Sequence, residues 1–121
     1  MDFEKVRRAL AAMPGAEESF PFGPDVLVYK VGGRMFALLP LEGEPARVNL
    51  KCEPDRAVVL RQRYAGVQPG YHMDKRHWNT VLLDGGLPTD ELTFLLQHSW
   101  DLVVGGLKKA EREKLRGALR R

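Results

Sequence analysis

The stretch VLVYKVGGRMFALL, running from Val26 to Leu39, holds two runs of β-branched, aromatic and aliphatic residues separated by Gly32-Gly33. Side chains of these types favour extended backbone, and a two-residue glycine link tolerates the positive φ that a tight reversal requires. The pattern predicts an antiparallel hairpin of Val26 to Val31 with Arg34 to Leu39. Beyond the polar loop Glu42 to Pro45, Ala46, Val48 and Leu50 alternate with Arg47, Asn49 and Lys51. A period of two marks a third strand with one apolar face and one polar, basic face.

Upstream, Phe3, Val6, Leu10 and Met13 recur at helical spacing behind Asp2 as N-cap, and Pro14-Gly15 supplies the stop. Glu17 to Phe20 reads as a short extended piece, followed by an irregular turn at Pro21, Gly23 and Pro24. Downstream, Pro54 flanked by Glu53 and Asp55 opens a second helix that carries Ala57, Val58, Leu60 and Tyr64 and ends at Gly66. Val67 to Lys75, with Pro69-Gly70 inside it, reads as a loop. Trp78 to Leu83 is a further strand closed by Asp84, Gly85 and Gly86. Pro88 and Thr89 open a long helix whose stripe is Leu92, Leu95, Leu96, Ser99, Leu102 and Val103. After Gly105-Gly106, Leu107, Ala110, Leu115, Ala118 and Leu119 share one side of a final helix, with Lys108, Lys109, Arg112, Arg116 and Arg120 around the rest.

This order of elements predicts an α+β fold of two layers, an antiparallel sheet with helices packed on one face and the other face open. At 121 residues, without internal repeat or linker, the chain reads as a single domain over 1–121. Its 44% hydrophobic and 29% charged content fit an ordinary globular protein. No apolar stretch approaches the roughly 20 residues of a bilayer span. The start Met1-Asp2-Phe3-Glu4 lacks a secretory pattern and Cys52 is the one cysteine, so a cytoplasmic location is expected. The net charge of +3 is unevenly spread. Residues 107–121 carry seven Lys or Arg against two Glu, and the remainder carries twelve bases against fourteen acids. Any basic field is therefore local.

The densest chemistry lies in PGYHMDKRHWN, Pro69 to Asn79. Lys75 and Arg76 can neutralise phosphates, Tyr71 and Trp78 offer flat faces for stacking, and His72, His77 and Asn79 can hydrogen-bond sugar, phosphate or base edges. Each also has an ordinary reading, Trp78 as a core anchor above all. In an extended segment Arg76, Trp78 and Thr80 point one way and His77, Asn79 and Val81 the other, so they do not all meet one ligand. Arg47, Asn49 and Lys51 on the third strand suit a polar, anionic partner, or are simply solvated.

Other chemistries fit less well. His72, Asp74 and His77 have the donor types of a metal site but not the spacing of a helical zinc motif, and Lys75 and Arg76 would repel the ion. Cys52 has no activating neighbour in sequence, Ser99 sits inside an amphipathic helix, and His98 is turned about 100° from it. The carboxylates of Asp74, Asp84 and Asp101 form no acid/base pair, and no glycine-rich phosphate loop is present. No catalytic, metal or cofactor site is implied.

The segments FPFGPD, VYKVGGRMFAL, VNLKCEPDRAVVLRQRY, PGYHMDKRHWNTVLLDG and HSWDLV together resemble the MmcQ/YjbR-like family of small bacterial proteins. The resemblance covers nearly the whole chain, with Trp100 where the family more often has Tyr and a Gly105-Gly106 break before the final helix. It implies a two-layer α+β domain related in shape to frataxin-like and secretion-chaperone-like folds, without carrying iron handling or chaperoning across. It further implies a DNA-binding, non-enzymatic protein with a double-wing arrangement of hairpins. On that reading His72, Lys75, Arg76, His77, Trp78 and Asn79, with Lys51 in NLK and Arg34 after the GG turn, contact DNA, and Arg47 joins them on the open face. A monomer is expected, and a protein-interaction module holding an acidic or apolar partner is the alternative.

Overall fold

Residues 1–119 are described by a computed structural model, in which α1 (Phe3–Ala11), β1 (Glu17–Ser19), β2 (Val26–Val31), β3 (Arg34–Pro40), β4 (Arg47–Lys51), α2 (Pro54–Arg63), β5 (Val67–Pro69), β6 (Trp78–Leu82), α3 (Thr89–Gly105) and α4 (Lys109–Leu119) follow one another. The predicted hairpin forms between β2 and β3, with Gly32 at φ 59° and Gly33 at φ 78°, a pair of left-handed residues that only glycine adopts without strain. The strands order as β1-β2-β3-β4-β6-β5, and every neighbouring pair is antiparallel.

The hairpin is not regular. Tyr29 lies opposite Ala37 and Lys30 opposite Met35, so Phe36 is an extra residue on β3, a bulge that turns its ring to the helix side against Tyr29 at 6.3 Å between centroids. The β3–β4 ladder pairs Ala37 with Leu50 and Leu38 with Asn49 and stops there. At the next position α3 intervenes. The Lys51 amide donates to Ser99 Oγ at 2.9 Å, and the Ser99 hydroxyl donates to the Phe36 carbonyl. One side chain thus replaces a missing backbone bond and ties the helix to two strands.

Helices cover one face of the sheet. Val6 and Leu10 of α1, Ala57 and Leu60 of α2, and Leu92, Leu96, Trp100, Val103 and Val104 of α3 close over Leu27, Tyr29, Leu39, Val48 and Leu50. Trp100 is fully buried and donates its indole N–H to the Pro14 carbonyl at 3.0 Å, so its polar atom is paired. Asp2 caps α1 through the Lys5 amide at 2.9 Å, and the Glu53 carboxylate caps α2 by accepting from Asp55 and Arg56. Those amides hold the Glu53 carboxyl below its ordinary range.

Four expectations are corrected. Val67–Pro69, read as loop, forms the edge strand β5 by pairing with β6, and Pro69 is tolerated there because it stands at the end of an edge. The α2 helix stops at Arg63, three residues before Gly66. Val58 and Leu102 are exposed at 44% and 37%, because the buried stripes run through Ala57 and Leu60 in α2 and through Trp100, Val103 and Val104 in α3. The open face is not bare either. Val28, Leu38 and Trp78 form a second apolar cluster there, edged by Val26, Met35 and Met73. On the helix side, Leu115 of α4 lies beside Gly15 and Val31, which directs the basic final helix away from the open face; Arg120 lies outside the described residues.

Candidate functional site

The connection from Gly70 to His77 folds back over the open sheet face, and a set of local bonds fixes it. The Gly70 amide pairs with the Trp78 carbonyl, and the Tyr71 amide donates to Thr80 Oγ1 at 3.0 Å. Asp74 accepts from the Arg76 amide at 3.0 Å and from His77 Nδ1 at 3.2 Å. From the helix layer, Arg61 reaches the Lys75 carbonyl and Asn79 Oδ1, both at 2.9 Å. His72 takes φ 57°, a left-handed conformation in which histidine is commoner than most residues, and its ring lies 4.1 Å from that of Tyr71.

At one end of this face lie the cations. Lys51 stands opposite Trp78 in the β4–β6 register, with its ammonium 6.0 Å from the ring centroid. Lys75 and Arg76 are exposed in the turn that feeds Trp78 into β6, and Lys75 Nζ donates to the Gly70 carbonyl at 3.1 Å. Trp78 is only 6% exposed, held by Val28 and Leu38, so it supports Lys51 and is not a stacking surface. Tyr71, at 63%, is the aromatic that faces solvent.

At the other end the face sinks into a recess of about 400 Å³. Phe22, Val26, Met35, Leu38 and Met73 wall it, and its polar side chains are Arg47, Asn49, Tyr71 and His72. Asn49 is 6% exposed and accepts the Thr80 hydroxyl on its side-chain carbonyl. Among the described residues no acceptor pairs with its amide nitrogen, although that atom is not sealed from solvent. The Arg47 guanidinium lies beneath Gly43, close enough that a Cβ there would meet Nη1 at 2.8 Å.

Two residues named for this face stand elsewhere. Asn79 is buried on the helix side, donating to the Ala57 carbonyl at 3.4 Å and accepting from Arg61, as strand alternation requires of a residue next to Trp78. Arg34 pairs across the hairpin with the core residue Val31, and its guanidinium reaches Gly106 at the end of α3. Arg47, Lys51 and His72 share the open side, whereas Lys75 and Arg76 are exposed in the turn before β6 and His77 is tethered to Asp74 there. Sequence reasoning missed Arg61, Thr80 and the apolar floor. The floor had a signal, since neither hairpin strand alternates cleanly and strands apolar on both faces are covered on both.

Nucleophilic residues are built into the fold. Burial pushes the Cys52 thiol up to about 11, so little thiolate exists near neutrality. Ser99 is spent on Lys51 and Phe36, and His98 Nε2 accepts from the Glu53 amide at 3.1 Å. Among the described residues no three His, Cys, Asp or Glu side chains gather in the manner of a metal site.

Known proteins carry the same architecture and sequence pattern. Escherichia coli O157:H7 YbdF is 38% identical over 114 residues, 93% of each chain, and Escherichia coli K12 YjbR is 35% identical over 116 residues, 95% of this chain and 98% of that one. A crystal structure of a Deinococcus radiodurans protein with a DUF419 domain superposes with a TM-score of 0.86 at 42% identity, covering 93% of this chain and 86% of that one. A Pseudomonas syringae crystal structure superposes at 0.74 and 27% identity, covering 85% and 99%. With the YjbR family model matching residues 11–102 as well, the chain belongs to the YjbR family.

Proposed function

We propose that the protein binds nucleic acid through the cationic end of the open sheet face, using Lys51, Lys75 and Arg76, with Arg47 farther along the same face. The observation that carries this reading is the absence of compensation. Among the described residues no Lys or Arg nitrogen lies within 4.0 Å of a carboxylate oxygen, so these cations keep their charge for an outside anion. Lys51 to Arg47 spans four residues of strand, about 13 Å, long enough to follow a phosphate backbone. The exposed Tyr71 ring adds a surface for an unpaired base, while phosphate contacts alone convey little sequence preference. The protein acts without catalysis, in the cytoplasm, as a monomer.

Fluorescence anisotropy of a labelled DNA duplex across a salt series tests the assignment. If four phosphates are neutralised, the slope of log K against log salt is about −3.6, falling to about −1.8 when Lys75→Ala and Arg76→Ala are combined. Lys108→Ala with Lys109→Ala, on the helix side, leaves the slope unchanged. Equal affinity of the Lys75/Arg76 double variant and the wild type would defeat the proposal.

A further inference from the structure

The recess at the far end of the face has the chemistry of a small-molecule site, and the nucleic-acid reading uses only Arg47 and Tyr71 at its wall. Its volume of about 400 Å³ falls within the range of about 300–1,000 Å³ typical of ligand pockets. Its walls are apolar, and two of them are methionines, whose unbranched chains adapt to different shapes. A recess that served only as a gap between loop and sheet would have no reason to hold polar groups at its wall. This one holds four, from Arg47, Asn49, Tyr71 and His72, and two groups among them are pure donors: the Arg47 guanidinium and the Asn49 amide nitrogen. Asn49 is more than nine-tenths buried, and its carbonyl is already committed to Thr80, so its N–H2 is the group left for a ligand. That nitrogen keeps some contact with solvent, so it is open to an acceptor brought by a ligand.

We propose that this recess binds an aliphatic monocarboxylate, its tail lying among Val26, Leu38 and Met73 and its carboxylate accepting from Arg47 and Asn49. The charge pattern selects this class. A cationic head would meet Arg47 as a like charge, and a neutral alcohol would forgo the charge-assisted bond that strengthens a carboxylate–guanidinium contact. The site stands at the opposite end of β4 from Lys51 and shares only Arg47 with the proposed phosphate contacts, so the two functions are separated by Lys75 and Arg76 on one side and Val26 on the other.

The test uses the ¹⁵N-labelled full-length protein, without nucleic acid, titrated with decanoate, decanol and decylamine, which share a tail and differ in head. Decanoate is expected to shift the amides of Val26, Leu38, Asn49 and His72 saturably and to bind about tenfold tighter than decanol, with decylamine weakest. Arg47→Gln brings decanoate to the decanol level, and Val26→Phe, which fills the recess from its wall, removes binding of both while the rest of the spectrum is retained. Equal binding by the three heads, undiminished decanoate binding in Arg47→Gln, shifts centred on α1 and α3, or no saturable shift with any probe would each overturn the proposal. Because DNA binding is read separately, failure here leaves the salt-series result untouched, and the reverse.

Discussion

Replacing Ser99 with alanine removes one hydrogen-bond donor and one acceptor at once from the core. Ser99 is fully buried, and its hydroxyl is the link between the Lys51 amide and the Phe36 carbonyl. The bulge at Phe36 and the packing of α3 against β3 and β4 hold these two groups apart, so a direct backbone bond cannot simply form in its place. Each of the two buried groups left unpaired costs about 1–3 kcal/mol, and partial closure of the strands would return about 1 kcal/mol, which leaves a net destabilisation of about 1–5 kcal/mol. Urea unfolding followed by tryptophan fluorescence, with the slope m unchanged, measures it. At roughly 4 °C per kcal/mol for a domain of this size, the melting point falls by about 4–20 °C.

Hydrogen exchange gives the local readout. The Lys51 amide exchanges faster in Ser99→Ala than the loss of global stability accounts for, because its acceptor is gone in the native state itself. Ser99→Cys, which keeps a weak donor and acceptor, falls between wild type and alanine. A loss below about 0.5 kcal/mol, the scale of a neutral surface substitution, together with unchanged Lys51 exchange, would show that the strands do close and that the hydroxyl is dispensable.

Two further perturbations probe the same framework. His98 must be neutral to accept from the Glu53 amide, and burial, helped by the nearby Arg56 guanidinium, lowers its pKa from the ordinary 6.5. The unfolded chain therefore binds the proton more readily, so the His98 contribution is complete above 6.5 and is lost as pH falls through the folded pKa, a limb of the pH–stability profile that His98→Gln flattens. Glu53, also lowered, adds a separate loss that begins only below about its ordinary 4.5, so the two are resolved by urea midpoints taken across pH. Gly66 sits where the α2–β5 connection touches the β6–α3 turn, and a Cβ there would lie 2.7 Å from the Gly85 Cα. Gly66→Ala is expected to lower stability by about 1–3 kcal/mol through that backbone clash, whereas alanine at Gly117, where nothing lies within 4 Å, raises it slightly by improving helix propensity.

The sheet's frame was legible wherever a local rule and the tertiary environment agree. Gly32-Gly33 is read correctly because positive φ at both positions is the demand of the turn itself, and β4 because Val48 and Leu50 face the helices while Arg47, Asn49 and Lys51 face away. β5 was not legible. Three residues ending in proline have no pattern of their own, and only pairing with β6 extends them. The role of Ser99 was hidden for a different reason. Helical spacing places it on the buried stripe, but a hydroxyl that bridges two strands 48 and 63 residues away leaves no trace in its neighbours. In the candidate site, the loop that carries Tyr71, His72, Lys75 and Arg76 announced itself by composition, whereas the recess beneath it required knowing that β2 and β3 lie beside β4.

Arg34 shows how one residue of register separates two charged surfaces. Counting back from Leu38, which faces the open side, strict alternation would put position 36 and then position 34 on that side too, next to Lys51. The bulge breaks the count. Phe36 and Ala37 together oppose Tyr29, so Met35 takes the open face and Arg34 is turned to the helices. There it approaches Gly106 while Arg116 approaches Gly105, and two guanidiniums gather at the C-terminal end of α3, where unpaired carbonyls carry partial negative charge. Geometry thus divides Arg34 and Arg116, which complement the end of a helix, from a second set, Lys51, Lys75 and Arg76, which among the described residues have no carboxylate partner. Charge at Arg34 should consequently register in stability, and charge at the second set in affinity for an external anion.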